Sequence, residues 1–491
     1  MMAGLGRAKR KLTSAMRTAI RYGWVAWLAI GFLLFNSGAP HAVKTSRAPR
    51  STLASLRVHF TDDEDMARYL SYVNAAIGRP YAPYYVRTLE EWQRVQERVD
   101  DAPDPLAGPR RSSPPLVPYR DYLVEYPPGF FLAALPPALL TGDIDLYRIL
   151  FGSWMALALS IGLWLCVRTI GELDRERGVR VPHLIGVPAT STLFAWSALA
   201  LLAAGVVAVQ RYDAAISLGI CATYWACLKR RWLVAGAALG FAVAAKGVPL
   251  LLAPLALIHL IRADARRSRL LELGLFVASG AAVIAAVVLP AGWLATHHLL
   301  DSLRYHSERP IQIESMPGAI MGVLHAFAPT SFHAVKSYGS TNIVGPYAGL
   351  LSAACVVLAV VGAVAIHVQL WRRMRDRQSA PIALAAAFCG ILVLYMTAGR
   401  VFSPQYLVWL LPLGGLVSLA TGAVETLMLL AAFLLSQLIY PTCYFQVSHL
   451  ETWSSILVLL RNLLVLYWGW RIVRGVPGAS ARQRIDSATV T

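Results

Sequence analysis

Apolar runs of membrane-crossing length alternate with short arginine-rich segments along most of the chain. A helix needs about 17–25 apolar residues to cross a hydrocarbon core of roughly 30 Å. Because lipid offers no hydrogen-bond partners, such a run must pair its backbone groups internally, as a helix does. The pattern predicts twelve spanning helices, at approximately residues 22–35, 147–167, 184–208, 212–228, 232–246, 248–261, 270–290, 343–370, 381–398, 404–420, 424–441 and 453–471.

A shorter apolar run, Pro127–Leu140, decides which way every later helix points. As a helix it would measure about 21 Å, which is short for a membrane span. If it crossed, the clusters Lys229–Arg231, Arg262–Arg269 and Arg372–Arg377 would face outward, although Lys and Arg favour the cytoplasmic side. A helix lying flat at the outer interface brings all three clusters to the cytoplasm. We therefore predict an interfacial helix here.

This orientation predicts one transmembrane domain with both termini in the cytoplasm. The runs 232–246 and 248–261 must then meet on the outer side near Lys246-Gly247, where Gly247 and Pro249 suit a helix break. The predicted parts are a basic N-terminus (1–21), the transmembrane domain (22–471) with outer loops at about 40–146 and 291–342, and a basic tail (472–491).

The first apolar run has two interpretations. It follows a basic segment and precedes small residues near Ser37–Ala42, as a cleaved signal peptide would. An uncleaved first helix is favoured because the run contains tryptophan and the remaining helices need a cytoplasmic start.

Composition agrees with a membrane protein and argues against a soluble protein or a nucleic-acid-binding protein. Hydrophobic residues make up 57% of the 491 residues and charged residues only 15%, whereas soluble chains carry about a quarter charged residues. The net charge of +18 comes from basic residues at the ends of apolar runs, not from a continuous basic face, so no nucleic-acid partner is expected. The six cysteines lie in or beside apolar runs and are expected to act as small hydrophobic residues.

Acids and isolated cations are left on the predicted outer face. Acids can take a proton from a hydroxyl, and cations can hold a phosphate and stabilise a leaving group. Ionisable groups at helix ends in a membrane protein are functional candidates. The chief segments are Thr61–Asp65, Tyr119–Asp121, Glu125–Gly129, Gln210–Asp213, Lys246, His306–Glu314 and Arg400–Tyr406.

Each candidate also has a structural explanation. The acids at 62–65 suit a solvated helix N-terminus or a divalent ion. Lys246 could extend its ammonium to the interface, and Arg400 could be an interface anchor. His297-His298 lacks further zinc ligands at useful spacing. No glycine-rich phosphate loop or dinucleotide motif occurs, which argues against an ATP-driven pump and against a cytosolic nucleotide-sugar enzyme.

Taken in order, these motifs resemble a known family. They are Asp65, Tyr69, Gly78-Arg79-Pro80-Tyr81, Tyr119-Arg120-Asp121, Glu125–Pro128, Gln210–Asp213, Lys246, Arg309–Ser315 and Ser403–Leu407. The chain resembles the GT-C superfamily of membrane glycosyltransferases, and within it glycosyltransferase family 87, whose members are polyprenol-phosphate-mannose-dependent mannosyltransferases. The stretch between Tyr81 and Tyr119 is longer than the family pattern.

The resemblance implies a GT-C-like all-α fold of about twelve transmembrane helices in the plasma membrane of the cell envelope. It implies an inverting transfer of a sugar, by default mannose, from a polyprenyl-phosphate donor to a glycolipid or glycan acceptor on the extracytoplasmic face, without a metal or other cofactor. Asp65 is the implied base, with Asp62 and Asp63 as alternative registers. The phosphate candidates are Lys246, His306, Arg309 and Arg400, and the sugar or acceptor candidates are Gln210, Asp213, Glu125, Tyr126, Gln312, Glu314 and Gln405.

Two alternatives stay open. A transporter, or flippase, for lipid-linked sugars would need polar residues deep in spanning segments, and few are evident there. A non-catalytic scaffold would keep the fold without activity.

Overall fold

The computed structural model describes residues 22–36, 63–87, 110–177, 188–263, 269–295, 298–376 and 379–475. Short 3₁₀ helices, Gly205–Ala208 and Val248–Leu252, precede the sixth and eighth α-helices. The helices up to residue 295 are α1 (Gly23–Asn36), α2 (Asp63–Ala76), α3 (Phe130–Leu140), α4 (Ile144–Arg177), α5 (Ala189–Ala204), α6 (Asp213–Leu228), α7 (Trp232–Ala245), α8 (Ala253–Ala263) and α9 (Arg269–Leu294).

The second part of the chain adds a small sheet to the helices. A 3₁₀ helix, Pro404–Leu410, leads into α14, and a π-helical turn, Leu438–Thr442, follows α15. The elements are α10 (His298–Glu308), β1 (Ile311–Gln312), α11 (Met316–His325), β2 (His333–Ser337), β3 (Ser340–Val344), α12 (Ala348–Arg373), α13 (Ala380–Ala398), α14 (Leu411–Thr421), α15 (Ala423–Gln437), α16 (Tyr444–Ser448) and α17 (Thr452–Gly475).

The predicted all-α membrane architecture is confirmed. Among the described residues, eight helical segments are long and apolar enough to cross a membrane, and all eight coincide with predicted runs. The other four predicted runs form shorter helices: α1, α6, α7, and the pair made by Val248–Leu252 and α8. The run Pro127–Leu140 forms the 11-residue helix α3, and its position flat at the interface stays a prediction. The predicted basic ends, 1–21 and most of 472–491, lie outside the described residues.

Glycines allow the helix backbones to approach closely where α7 crosses α9. A Cβ on Gly236 would lie 2.0 Å from the Phe276 carbonyl oxygen, and one on Gly240 would lie 2.5 Å from the Gly280 carbonyl oxygen. Small residues at such crossings let helices pack by van der Waals contact where lipid supplies no hydrophobic driving force. Most of the rest of α9 is exposed, as expected for a lipid-facing helix.

The hydrophobic pattern did not predict the small sheet, nor the short helices α2, α10, α11 and α16. The strand order of the sheet is β1-β3-β2, all antiparallel, with Ile311 opposite Ile343. The turn of the β2–β3 hairpin contains Gly339 at φ +65°, a conformation that glycine adopts without strain. Side chains of the sheet pack with α11 and α17 in a hydrophobic cluster separate from the main core. Ile343 of the hairpin therefore belongs to the same hydrophobic cluster as Val458 of α17.

Candidate active site

Segments far apart in sequence line a cavity of about 850 Å³. They are α2 with the turn after it, the residues before α3, the junction before α6, the break after α7, the α10–β1 region, the β2–β3 hairpin, and the residues around Ser403. The positions of the basic clusters predicted that the ends of these helices lie on one side of the membrane. The structure brings their side chains together around one cavity, and the side of the membrane on which it lies stays a prediction.

The cavity wall is rich in charge and has more cations than acids. Such an imbalance raises the local concentration of anionic ligands. The lining residues include three carboxyl groups (Asp65, Glu125 and Glu314) and six cations (Arg68, Arg87, Arg211, Lys246, Arg309 and Lys336).

Asp65 lies on the first turns of α2 and is held by two arginines. Its Oδ2 is ion-paired with Arg211, and its Oδ1 lies 3.6 Å from Arg68 Nη1. The second distance exceeds that of a hydrogen bond, so the contact between Arg68 and Oδ1 is an ion pair only. Helical spacing explains the Arg68 contact, since residues three apart lie on one helix face. Asp63 begins α2 and Asp62 precedes the described residues, so neither carboxylate is located.

Glu125 connects this group to α10. Its Oε1 accepts a 2.5 Å hydrogen bond from Arg68 Nη1, and its buried Oε2 has no hydrogen-bond partner among the described residues. His306 Nε2 donates to the Glu125 carbonyl oxygen at 2.8 Å, because a carbonyl can only accept. Burial lowers the pKa of His306, and Arg309 and Lys246 add to this effect. His306 is therefore favoured in its neutral form.

Lys246 occupies an aromatic cage at the break after α7. Its Nζ donates a 2.8 Å hydrogen bond to Asp213 Oδ1, which also accepts one of 2.6 Å from Trp409 Nε1. The ammonium lies 4.5 Å from the ring centre of Tyr406, 4.9 Å from that of Trp409 and 5.4 Å from that of Tyr212. Such cation–π contacts strengthen when water is excluded. The cage fixes Lys246 while leaving it part-exposed to the cavity.

Arg309 and Glu314 flank strand β1 on the cavity wall. Arg309 Nε is buried without a hydrogen-bond partner in the described ranges. Glu314 Oε2 accepts a 3.1 Å hydrogen bond from Gln312 Nε2, while the Gln312 Oε1 accepts one from the Phe402 amide at 3.0 Å. Burial raises the pKa of Glu314 to about 7, against the opposing charges of Arg461 and Arg309. Glu314 therefore titrates near neutral pH.

Tyrosines form much of the remaining wall, and several come from segments that sequence reasoning did not select. Tyr126 packs in an aromatic cluster with Tyr69, Phe130 and Tyr212, with ring centres 4.8–5.5 Å apart. The hairpin contributes Tyr338, whose ring centre lies 5.0 Å from that of Tyr305. Aromatic faces with polar edges suit sugar rings, which have apolar faces and hydroxyl rims.

Nine predicted site residues line the cavity, and three do not. Gln210 and Asp213 are buried behind the wall, with Asp213 turned to Lys246. Arg400 is exposed, and its Nη1 donates to the Ser307 carbonyl oxygen at 3.3 Å. The nine that the structure brings together are Asp65, Glu125, Tyr126, Lys246, His306, Arg309, Gln312, Glu314 and Gln405. The roles assigned to all of them stay predictions.

Sequence reasoning missed three groups of residues. Arg68 could have been found from its spacing to Asp65 on one helix face. The hairpin could have been found from its alternating residues around a turn with glycine. Arg461, a single arginine inside an apolar run, is fully buried and donates from Nη2 to the Glu314 carbonyl oxygen at 2.9 Å. In the described parts of the chain, no group of three or more His, Cys, Asp and Glu side chains could hold a metal ion.

The model of glycosyltransferase family 87 matches residues 123–404, which is more than half of the chain. The matched range holds most of the cavity wall, from Glu125 to Ser403, but begins after α2 and Asp65. No match was found among curated proteins.

Proposed function

The chain belongs to glycosyltransferase family 87, and we propose that it moves mannose from a polyprenyl-phosphate donor to a hydroxyl of a glycolipid or glycan acceptor. Family membership, together with the eight helices in the described part of the chain that are able to cross a membrane, makes the protein a membrane glycosyltransferase. The donor, the sugar, the catalytic base and the extracytoplasmic side, in the plasma membrane, belong to the proposal.

The observation that carries the proposal is the meeting of Asp65 with a surplus of cations in one cavity. Six cations and three carboxyl groups line it, so a negatively charged ligand is favoured. A sugar phosphate linked to lipid carries that charge and can reach the cavity from the bilayer. Lys246 and Arg309 would hold the phosphate, because one is fixed in its cage and the other has an unused Nε.

The proposed chemistry is a single displacement with inversion. Asp65 takes the proton from the acceptor hydroxyl through Oδ1, and the hydroxyl oxygen attacks the anomeric carbon. The bond from that carbon to the phosphate oxygen breaks, and polyprenyl phosphate leaves with the electron pair. Fixed cations stabilise the charge developing on the leaving oxygen without reorganising during the reaction.

The remaining cavity residues would orient the substrates. Neutral His306 would contribute a hydrogen bond through its ring and not a full charge. Glu125, Glu314 and Gln405 have oxygens that can accept hydrogen bonds from sugar hydroxyls. Arg400 would act indirectly, by holding the end of α10 through the Ser307 carbonyl.

The test uses membranes containing the full chain and labelled polyprenyl-phosphate mannose, with the labelled product lipid identified. Asp65→Asn should reduce transfer by about 10²–10⁴-fold, the usual contribution of a general base. Asp62→Asn and Asp63→Asn are matched controls on neighbouring acids and should keep most activity. Full activity of Asp65→Asn would show that Asp65 is not the base. Loss of transfer in Asp63→Asn alone would assign the base to Asp63.

The donor is tested in the same assay. Transfer from polyprenyl-phosphate mannose, but not from a nucleotide sugar, supports the proposed donor. If the lipid-linked sugar instead crosses the membrane of vesicles that contain the protein, and no glycosylated product forms, the protein is a transporter.

A further inference from the structure

Arg461 is a fully buried cation in the last spanning helix. It lies nine residues after Thr452 in α17, about 14 Å along the helix axis. A charged side chain at such depth is energetically costly and is retained where it pairs with other groups in the protein interior. The surroundings of Arg461 should therefore show what the charge does.

The guanidinium joins three separate segments. Nη2 donates to the Glu314 carbonyl oxygen at 2.9 Å, and Nη1 donates to Ser436 Oγ on α15 at 3.1 Å. Its central carbon lies 3.9 Å from the ring centre of Phe402. The neighbouring Asn462 Nδ2 donates to the same Glu314 carbonyl at 3.1 Å. Two side chains of α17 thus fix the backbone of Glu314.

Glu314 lines the cavity, and one of its carboxyl oxygens has no hydrogen-bond partner among the described residues. The residue is 2% exposed, and Gln312 donates to its Oε2. Its Oε1 is buried and has no hydrogen-bond partner within the described residues. An unpaired buried acceptor costs about 1–3 kcal/mol, so one on a residue that lines the cavity is best explained by a donor that a ligand supplies.

We propose that Glu314 Oε1 binds a hydroxyl of the sugar in the cavity, and that Arg461 is the positioning residue that holds Glu314 for this contact. This inference rests on the proposed function for the identity of the ligand as a sugar. It assigns to α17, which lies outside the range matched by the family, a part in substrate recognition.

The charge state of Glu314 offers a readout that needs no activity. The charged or titratable groups facing it are Arg461 on α17, Arg309 before β1 and Tyr444 on α16. Burial raises the pKa of Glu314 from 4.5 to about 7, while the two arginines oppose the rise. A folded-state pKa above the unfolded one stabilises the protein fully below pH 4.5, and this stability is lost as pH rises to about 7.

The first experiment compares Tm in detergent across pH for the full chain and its variants. The Tm of Glu314→Gln minus that of wild type should grow with pH and level off near pH 7. In an Arg461→Gln background the same difference should level off at higher pH, because a positive charge near the carboxyl is gone. Arg461→Lys keeps the charge and should leave that pH unchanged. If the Tm difference levels off at the same pH in the Arg461→Gln background as in wild type, the proposed link between Arg461 and Glu314 is overturned.

The second experiment measures KM and kcat for polyprenyl-phosphate mannose. Glu314→Leu and Arg461→Lys should each raise KM about 10-fold, the loss of about one hydrogen bond, with a smaller change in kcat. Arg461→Lys also covers the case in which Arg461→Gln does not fold. Arg148→Lys is the matched control, since Arg148 is equally buried but pairs with Asp145 away from the cavity, and its KM should not change.

Donors that each lack a different sugar hydroxyl identify the contact. For one of them, wild type and Glu314→Leu should have equal KM, because the partner of Oε1 is missing in both. If the KM of Glu314→Leu exceeds that of wild type by the same ratio for every donor, the proposed contact is overturned. If wild type transfers nothing from polyprenyl-phosphate mannose, the proposed donor fails, while the Tm experiment still tests whether Arg461 acts on Glu314.

Discussion

Lys246 Nζ lies 2.8 Å from Asp213 Oδ1, so the cation at the helix break is fixed by an acid at the start of another helix. Asp213 is 1% exposed and also accepts from Trp409, whereas Lys246 reaches the cavity. The sequence predicts that Asp213 contacts the sugar or acceptor. From the hydrogen bond to Lys246 we propose instead that Asp213 positions Lys246.

A double-mutant cycle tests this relationship. Lys246→Met should lower kcat/KM at least 10-fold, since it removes the proposed contact with the donor phosphate. Asp213→Asn should also lower kcat/KM, because its neutral amide holds the ammonium less strongly. The double variant should be no worse than Lys246→Met, because both changes act on one group. Additive losses would mean that Asp213 contacts the substrate independently.

Close packing of Gly129 against the end of α7 should be essential for the aromatic cage around Lys246. A Cβ there would lie 2.4 Å from the Ala244 carbonyl oxygen, and the Gly129 amide donates to that oxygen at 3.0 Å. Gly129→Ala should lower stability by about 1–3 kcal/mol by forcing backbones apart, and should lower activity by displacing Lys246. Tm and kcat/KM check both effects. Gly142→Ala is the control, because nothing lies within 4 Å of its Cβ position, and equal effects at both sites would contradict the prediction.

The hairpin should contribute to binding through Lys336. This residue is exposed, lines the cavity and adds one positive charge to its wall. Lys336→Gln should raise the KM for the lipid-phosphate donor a few-fold, and the difference from wild type should shrink as salt is raised, because exposed charges are screened. His333→Gln, on the same strand but outside the cavity lining, should leave KM unchanged. A salt-independent effect would exclude an electrostatic role.

The orientation in the membrane is testable with single cysteines. His333 and Arg375 are exposed and lie beyond opposite ends of α12, a helix of 26 residues and about 39 Å. A membrane-impermeant maleimide applied to intact cells should label His333→Cys above the background of the native chain, but not Arg375→Cys. Labelling in the reverse pattern would place the cavity on the cytoplasmic side.

Local sequence was sufficient for the helices that can cross a membrane. Run length predicted the eight such segments found among the described residues, because a helix in lipid must satisfy its own backbone and needs no distant partner. The helix break at Lys246 was also predicted from the sequence. Gly247 and Pro249 indicated it, as did the side of the membrane to which the basic clusters were assigned. The sequence could therefore predict that the polar residues at these helix ends lie close together. Nine of the predicted site residues line the cavity.

Only the tertiary structure decided which atoms remain available to a ligand. Asp213 and Glu314 are both acids near the predicted site, yet Asp213 Oδ1 accepts from Lys246 and Trp409, whereas Glu314 Oε1 has no hydrogen-bond partner among the described residues. The pairing of Asp65 with Arg211, and of Arg461 with the Glu314 carbonyl, joins residues more than a hundred positions apart. Such contacts depend on how helices cross, which packing between distant segments determines and no local pattern encodes.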